Sequence, residues 1–115
     1  MDILQLSHYL DNLLDISSIN DAPNALNGLQ VQNTGNIEKI GLAVDLCQAT
    51  IDLAIEKNCQ MMFVHHGIFW GGLQPLRGPF YEKTSSMISA NLGLYSAHIP
   101  LDLHPVYGNN RALAD

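Results

Sequence analysis

Positive charge is scarce in this chain. Of 115 residues only five are lysine or arginine, against eleven aspartates and glutamates, for a formal net charge of −6. The five cations, Lys39, Lys57, Arg77, Lys83 and Arg111, are scattered along the sequence. Without a basic stripe to neutralise phosphates, a nucleic-acid partner is not expected. Cysteine is equally sparse: Cys47 and Cys59 form no CxxC pair, which argues against both a disulfide framework and a thiolate zinc site and leaves them as small buried hydrophobes. No apolar run reaches membrane-spanning length, and Met1-Asp2-Ile3-Leu4-Gln5 lacks the basic start of a secretory signal. No membrane partner is therefore expected, and the expected location is cytoplasmic. GxGxxG, P-loop and nucleophile-elbow patterns are absent, which removes dinucleotide binding and triad hydrolysis from the leading ideas.

What is present is apolar. Hydrophobic residues make up 47% of the chain and charged residues only 14%, a rich mixture for one small domain, and self-association is the expected way to cover part of that surface. Ile3, Leu6, Leu10, Leu13 and Leu14 fall at helical spacing behind Asp2, a candidate N-cap. Asn27-Gly28 marks a turn before the short alternating run Leu29 to Gln32, and Gly35-Asn36 marks another. Ile40 to Val44 reads as a strand buried on both faces, Cys47 to Lys57 as a helix, Met61 to Val64 as a second buried strand, Tyr81 to Leu92 as a helix stopped by Gly93, and Leu94 to Ala97 as a third strand. The alternation predicts an α/β fold with a mostly parallel sheet and flanking helices, so that the ends after Val44, Val64 and Ala97 share one edge.

Two of those three ends carry histidine. His65 and His66 close the run Met61 to Val64, and His98 follows Ala97 at the head of His98-Ile99-Pro100-Leu101-Asp102. Successive strand residues point to opposite faces, so the adjacent imidazoles are expected to share a site only where the strand has ended. In open α/β sheets ligands bind beyond the carboxyl ends of the strands. Imidazoles with a hard carboxylate and no thiolate suit a divalent ion (Zn, Mn, Fe, Ni or Co), and Asp102 could bridge two of them. His98 fits three roles equally: ligand, proton carrier, or a group orienting Asp102. His8 and His104 read as structural or solvent-exposed. The segment from Gly67 to Phe80 is long for a strand-to-helix connection and fits two readings equally: a lid or substrate wall with Arg77 as its phosphate or carboxylate anchor, or a loop whose Phe69 and Trp70 pack against the core while Arg77 is solvated.

Four blocks, Asn24-Ala25-Leu26-Asn27-Gly28-Leu29-Gln30-Val31, Val64-His65-His66-Gly67-Ile68-Phe69-Trp70-Gly71, Ser96-Ala97-His98-Ile99-Pro100-Leu101-Asp102 and Gly108-Asn109-Asn110, closely resemble the Nif-three-like family, whose members include dinuclear metal-centre proteins and GTP cyclohydrolase I type two homologues. The resemblance implies an N-terminal half of that fold, with residues 1–115 as a single metal-binding domain and the front part of a longer chain. It implies His65, His66 and Asp102 as metal ligands, up to two divalent ions per site, and a further histidine and glutamate supplied by the family's second half. It also implies a hexameric ring and a hydrolase-like activity of GTP cyclohydrolase type on a nucleotide or related heterocycle. The competing expectation is a non-catalytic metal-binding protein, a metallochaperone or a regulatory assembly partner.

Overall fold

The computed structural model describes residues 1–98 except 19 and 22, with the backbone only at Asn24. Asp102, His104 and the Gly108-Asn109-Asn110 block lie outside the described residues. Four strands, β1 (Gly28–Val31), β2 (Ile40–Asp45), β3 (Met61–His66) and β4 (Gly93–Ser96), form one sheet in the order β1-β4-β3-β2. β2, β3 and β4 are mutually parallel and β1 runs antiparallel to β4. This is the mostly parallel α/β sheet that the alternating pattern predicts. No helix among the described residues is long and apolar enough to cross a membrane.

Helix α1 (Ile3–Leu14) covers one face of the sheet. It starts where the sequence places it: the Asp2 carboxylate accepts from the Gln5 N–H at 2.9 Å, and the Gln5 side chain accepts from the Asp2 N–H at 3.1 Å. Ile3, Leu14 and the partly buried Leu6 and Leu10 pack on Met61, Tyr95 and Ala97. Helices α2 (Gln48–Glu56) and α3 (Pro79–Ser89) cover the other face. There Ile51, Ala54, Phe80 and Met87 meet Met62, Val64 and Leu94, and each large aliphatic side chain so buried is worth about 1.5–3 kcal/mol against solvent exposure. Alternation along β3 explains the division: Met61 and Phe63 face α1, while Met62 and Val64 face α2 and α3.

The structure corrects four local expectations. β2 is not buried on both faces, because it is an edge strand and α1 does not reach across it. Leu42 and Val44 are 79% and 67% exposed, and Ile40 is exposed beside them, while Gly41 and Ala43 turn inward. The third helix begins at Pro79, which its fixed φ suits to the first turn, and ends at Ser89 with Ala90 as its cap. Phe80 and Met87 point into the core, whereas Tyr81 and Ile88 are exposed. Gly93 is not the helix stop but the first residue of β4, where a Cβ would meet the buried end of the Ile3 side chain. Finally, Cys47 is an exposed residue capping α2, not a buried hydrophobe.

Candidate metal centre

Three parallel strands deliver their carboxyl ends to one rim. β2 ends in Asp45, β3 in His65-His66, and β4 runs into His98 two residues beyond Ser96. The expectation that β3 stops at Val64 is corrected: pairing with β2 continues through Asp45 opposite His66, and the Leu46 N–H donates to the His66 carbonyl at 3.1 Å. The pairing with β4 ends at Val64. At this ragged end the alternating His65 and His66 rings still approach to 4.7 Å between centroids. The His98 ring lies 4.5 Å from that of His65 and 5.2 Å from that of His66.

Carboxylates orient two of the three rings. His66 Nδ1 lies 2.6 Å from Asp45 Oδ1, and His98 Nδ1 lies 2.9 Å from Asp21 Oδ1. An ionised carboxylate can only accept, so in each neutral ring Nδ1 carries the proton and Nε2 keeps its lone pair free for a cation. The two carboxylates sit differently. Asp45 is 67% exposed, whereas Asp21 is 4% exposed and also accepts from Asn27 Nδ2 at 3.0 Å. Asn27 Oδ1 in turn accepts from the His98 N–H at 2.7 Å, so the turn before β1 fixes His98 through both backbone and ring.

One ring nitrogen from each of His65, His66 and His98 falls within 4.8 Å of the others. Tetrahedral coordination with nitrogens about 2.1 Å from the ion separates them by roughly 3.4 Å, a gap that small side-chain rotations close. These three imidazoles therefore fit a divalent ion. Of the residues that the sequence singles out, His65 and His66 come together, His98 joins them, and Asp102 lies outside the described residues.

The connection from β3 to α3 sets Trp70 beside the histidines, while its Phe69 packs on the core and Arg77 is exposed. Trp70 stacks on His66 with centroids 4.7 Å apart and lies 4.6 Å from the His98 ring. Gln30 on β1 ties this loop down: its amide oxygen accepts from the Ile68 N–H at 2.9 Å, and its amide nitrogen donates to the Ala25 and Leu26 carbonyls at 3.0 Å. A cleft of about 340 Å3 opens beside His66, lined by Asp45, Trp70, Gln74, Phe80 and Lys83 among others. A larger cavity of about 600 Å3 lies beyond Ile68 and Phe80, but its lining carries no titratable side chain. Arg77, the expected anion anchor, is exposed and lines neither space.

Sequence reasoning missed Asp45, Asp21, Asn27 and Lys83 as members of this site. Asp45 was accessible to it, being the end of the first of the three parallel strands. Asp21 lies in a polar, irregular stretch whose position only the tertiary fold sets.

Comparison with known proteins agrees with the fold. The whole chain, residues 1–115, matches the family described as Duf34/NIF3 (NGG1p interacting factor 3). It is 42% identical over 115 residues to the GTP cyclohydrolase 1 type 2 homolog of Treponema pallidum, covering 99% of this chain and 40% of that protein. It is 44% identical over 110 residues to the protein of the same name from Pyrococcus abyssi, covering 96% and 43%. The crystal structure of TTHA1606 from Thermus thermophilus superimposes with a TM-score of 0.93 at 39% identity, over 99% of this chain and 47% of that one. The chain thus spans less than half the length of the relatives it matches.

Proposed function

The chain belongs to the Duf34/NIF3 family, and from that premise we propose that it is a metal-dependent hydrolase of GTP cyclohydrolase type, with His65, His66 and Asp102 holding one or two divalent ions. The observation that carries this reading is the meeting of His65, His66 and His98 on one rim, two of them oriented by carboxylates. Such an ion supplies a water acidic enough to act as hydroxide near neutral pH. The side chains do the rest. Asp45 and Asp21 fix the tautomers of His66 and His98, Trp70 shields one side of the site, and the 340 Å3 cleft receives the substrate. A purine nucleotide as substrate class is supported by the name that the two relatives share. Zn, Fe, Mn, Ni and Co all suit this donor set.

Assembly belongs to the same proposal. The exposed apolar stripe of Ile40, Leu42 and Val44 on β2 supports self-association, with the hexamer of the family as the expected form. A cytoplasmic setting accords with the absence of a membrane-crossing helix among the described residues.

Metal analysis of the purified full-length protein tests the ligand set. We expect one or two ions per chain and a reduced content after His66→Ala or Asp102→Ala, while an unchanged stoichiometry after Asp102→Ala removes Asp102 from the ligands. The exposed apolar stripe on β2 favours a second reading, a non-catalytic metal-binding, metallochaperone or regulatory assembly protein. Turnover of GTP that disappears on chelation and returns on reloading supports the hydrolase; metal binding without turnover supports the alternative.

A further inference from the structure

We propose that Lys83 is the anion anchor of this site, and that the cleft between Trp70 and Lys83 takes a phosphorylated purine nucleotide with its phosphate on the lysine. The inference rests on the hydrolase reading for the identity of the ring but not for the cleft itself. Lys83 lies in the second turn of α3, half-buried, and lines the same cleft as His66, Asp45 and Trp70. The other cations are elsewhere. Lys39 and Lys57 line a separate groove at the opposite end of β2, Arg77 is exposed outside the cleft, and Arg111 lies outside the described residues.

The electrostatic logic favours a specific anion site over general attraction. A chain of net charge −6 repels anions at long range, so an anion held here needs a local cation, and among the described residues Lys83 is the cationic side chain that lines this cleft. The other charge in the cleft, Asp45, is bonded to His66 Nδ1, whereas Lys83 makes no ion pair among the described residues. Its ammonium is therefore available to a ligand. The remaining walls suit a flat ring: Trp70 and Phe80 are aromatic, and Gln74 offers an amide that can both donate and accept. A volume of about 340 Å3 is at the small end of ordinary ligand sites, on the order of what a nucleoside monophosphate fills.

The test is calorimetric binding of GMP and of guanosine to the full-length protein as isolated, with metal content measured on the same samples. We expect GMP to bind more tightly than guanosine. Lys83→Gln should weaken GMP about tenfold and leave guanosine unchanged, while Lys83→Arg should keep GMP binding within about threefold of the wild type. In the wild type, added salt should weaken GMP and spare guanosine both before and after chelation of any bound metal, a readout that belongs to the protein's own cation and holds even if Lys83→Gln fails to fold. Equal binding of GMP and guanosine, no GMP binding at millimolar concentration, or a Lys83→Gln protein with unaltered GMP affinity would overturn the proposal. The two readings fail separately. Native protein without metal but with Lys83-dependent GMP binding sinks the metal reading and keeps the cleft; metal present with no Lys83 dependence does the reverse.

Discussion

Replacing Asp45 by alanine removes the acceptor of the 2.6 Å bond to His66 Nδ1 and leaves the strand and the ring in place. His66 then loses the partner that selects its Nε2 lone pair, and both its tautomers become populated. Losing an outer hydrogen-bond partner of a metal-binding histidine costs 10–100-fold in affinity, equivalent to about 1.4–2.7 kcal/mol. Asp45 is 67% exposed, so solvent screens its charge and places the expected loss at the lower limit, about tenfold. Asp45→Asn keeps an acceptor oxygen but not the charge, and belongs between wild type and alanine. The measurement is competition for zinc against a chromophoric chelator, with thermal melting as a control that should not move, because Asp45 packs against no core. An alanine variant that binds zinc as tightly as wild type, or an asparagine variant weaker than alanine, would refute the role assigned to this carboxylate.

The fully buried Tyr95 donates to Asp11 Oδ1 at 2.8 Å, and burial followed by this bond pushes the phenol far above its ordinary value. Tyr95→Phe should cost about 1–2 kcal/mol in urea denaturation. Because the folded-state value is raised, the stability tied to this proton is complete below about pH 10 and declines as pH rises past it, so wild type should lose stability in alkali more steeply than the phenylalanine variant. At Gly67 a Cβ would run into the Gln30 amide, which three hydrogen bonds hold in place. Gly67→Ala should therefore cost about 1–3 kcal/mol, seen as a lowered melting temperature, and Gln30→Ala in the same background should recover part of it. Hydrogen bonding to Thr50 lowers the pKa of the exposed Cys47 thiol. Iodoacetamide should label Cys47 faster than the half-buried Cys59 at neutral pH, and Thr50→Val should slow that labelling in peptide mapping.

Much of the architecture was legible because its signals are local. The Asp2 cap, the helical spacing after it and the apolar runs at positions 40–44, 61–64 and 94–97 each carry their information within a few residues. What went astray depended on neighbours. Ile40, Leu42 and Val44 look like core until the sheet order places β2 at an edge. Tyr81 and Ile88 look core-facing until Pro79 sets an earlier start and a different phase for α3. His66 reads as lying past the strand until the pairing with Asp45 shows one strand outlasting the other.

The sequence by itself determined that imidazoles stand at strand ends and that those ends share a rim, because hydrophobic periodicity fixes the elements and parallel crossovers fix their direction. The tertiary structure alone decided which side chains meet them there. Asp21 reaches His98 across 77 positions and Lys83 enters the cleft beside His66. Contacts between residues so far apart follow from how helices and loops pack on the sheet, and packing geometry is a property of the whole fold that no short stretch of chain encodes.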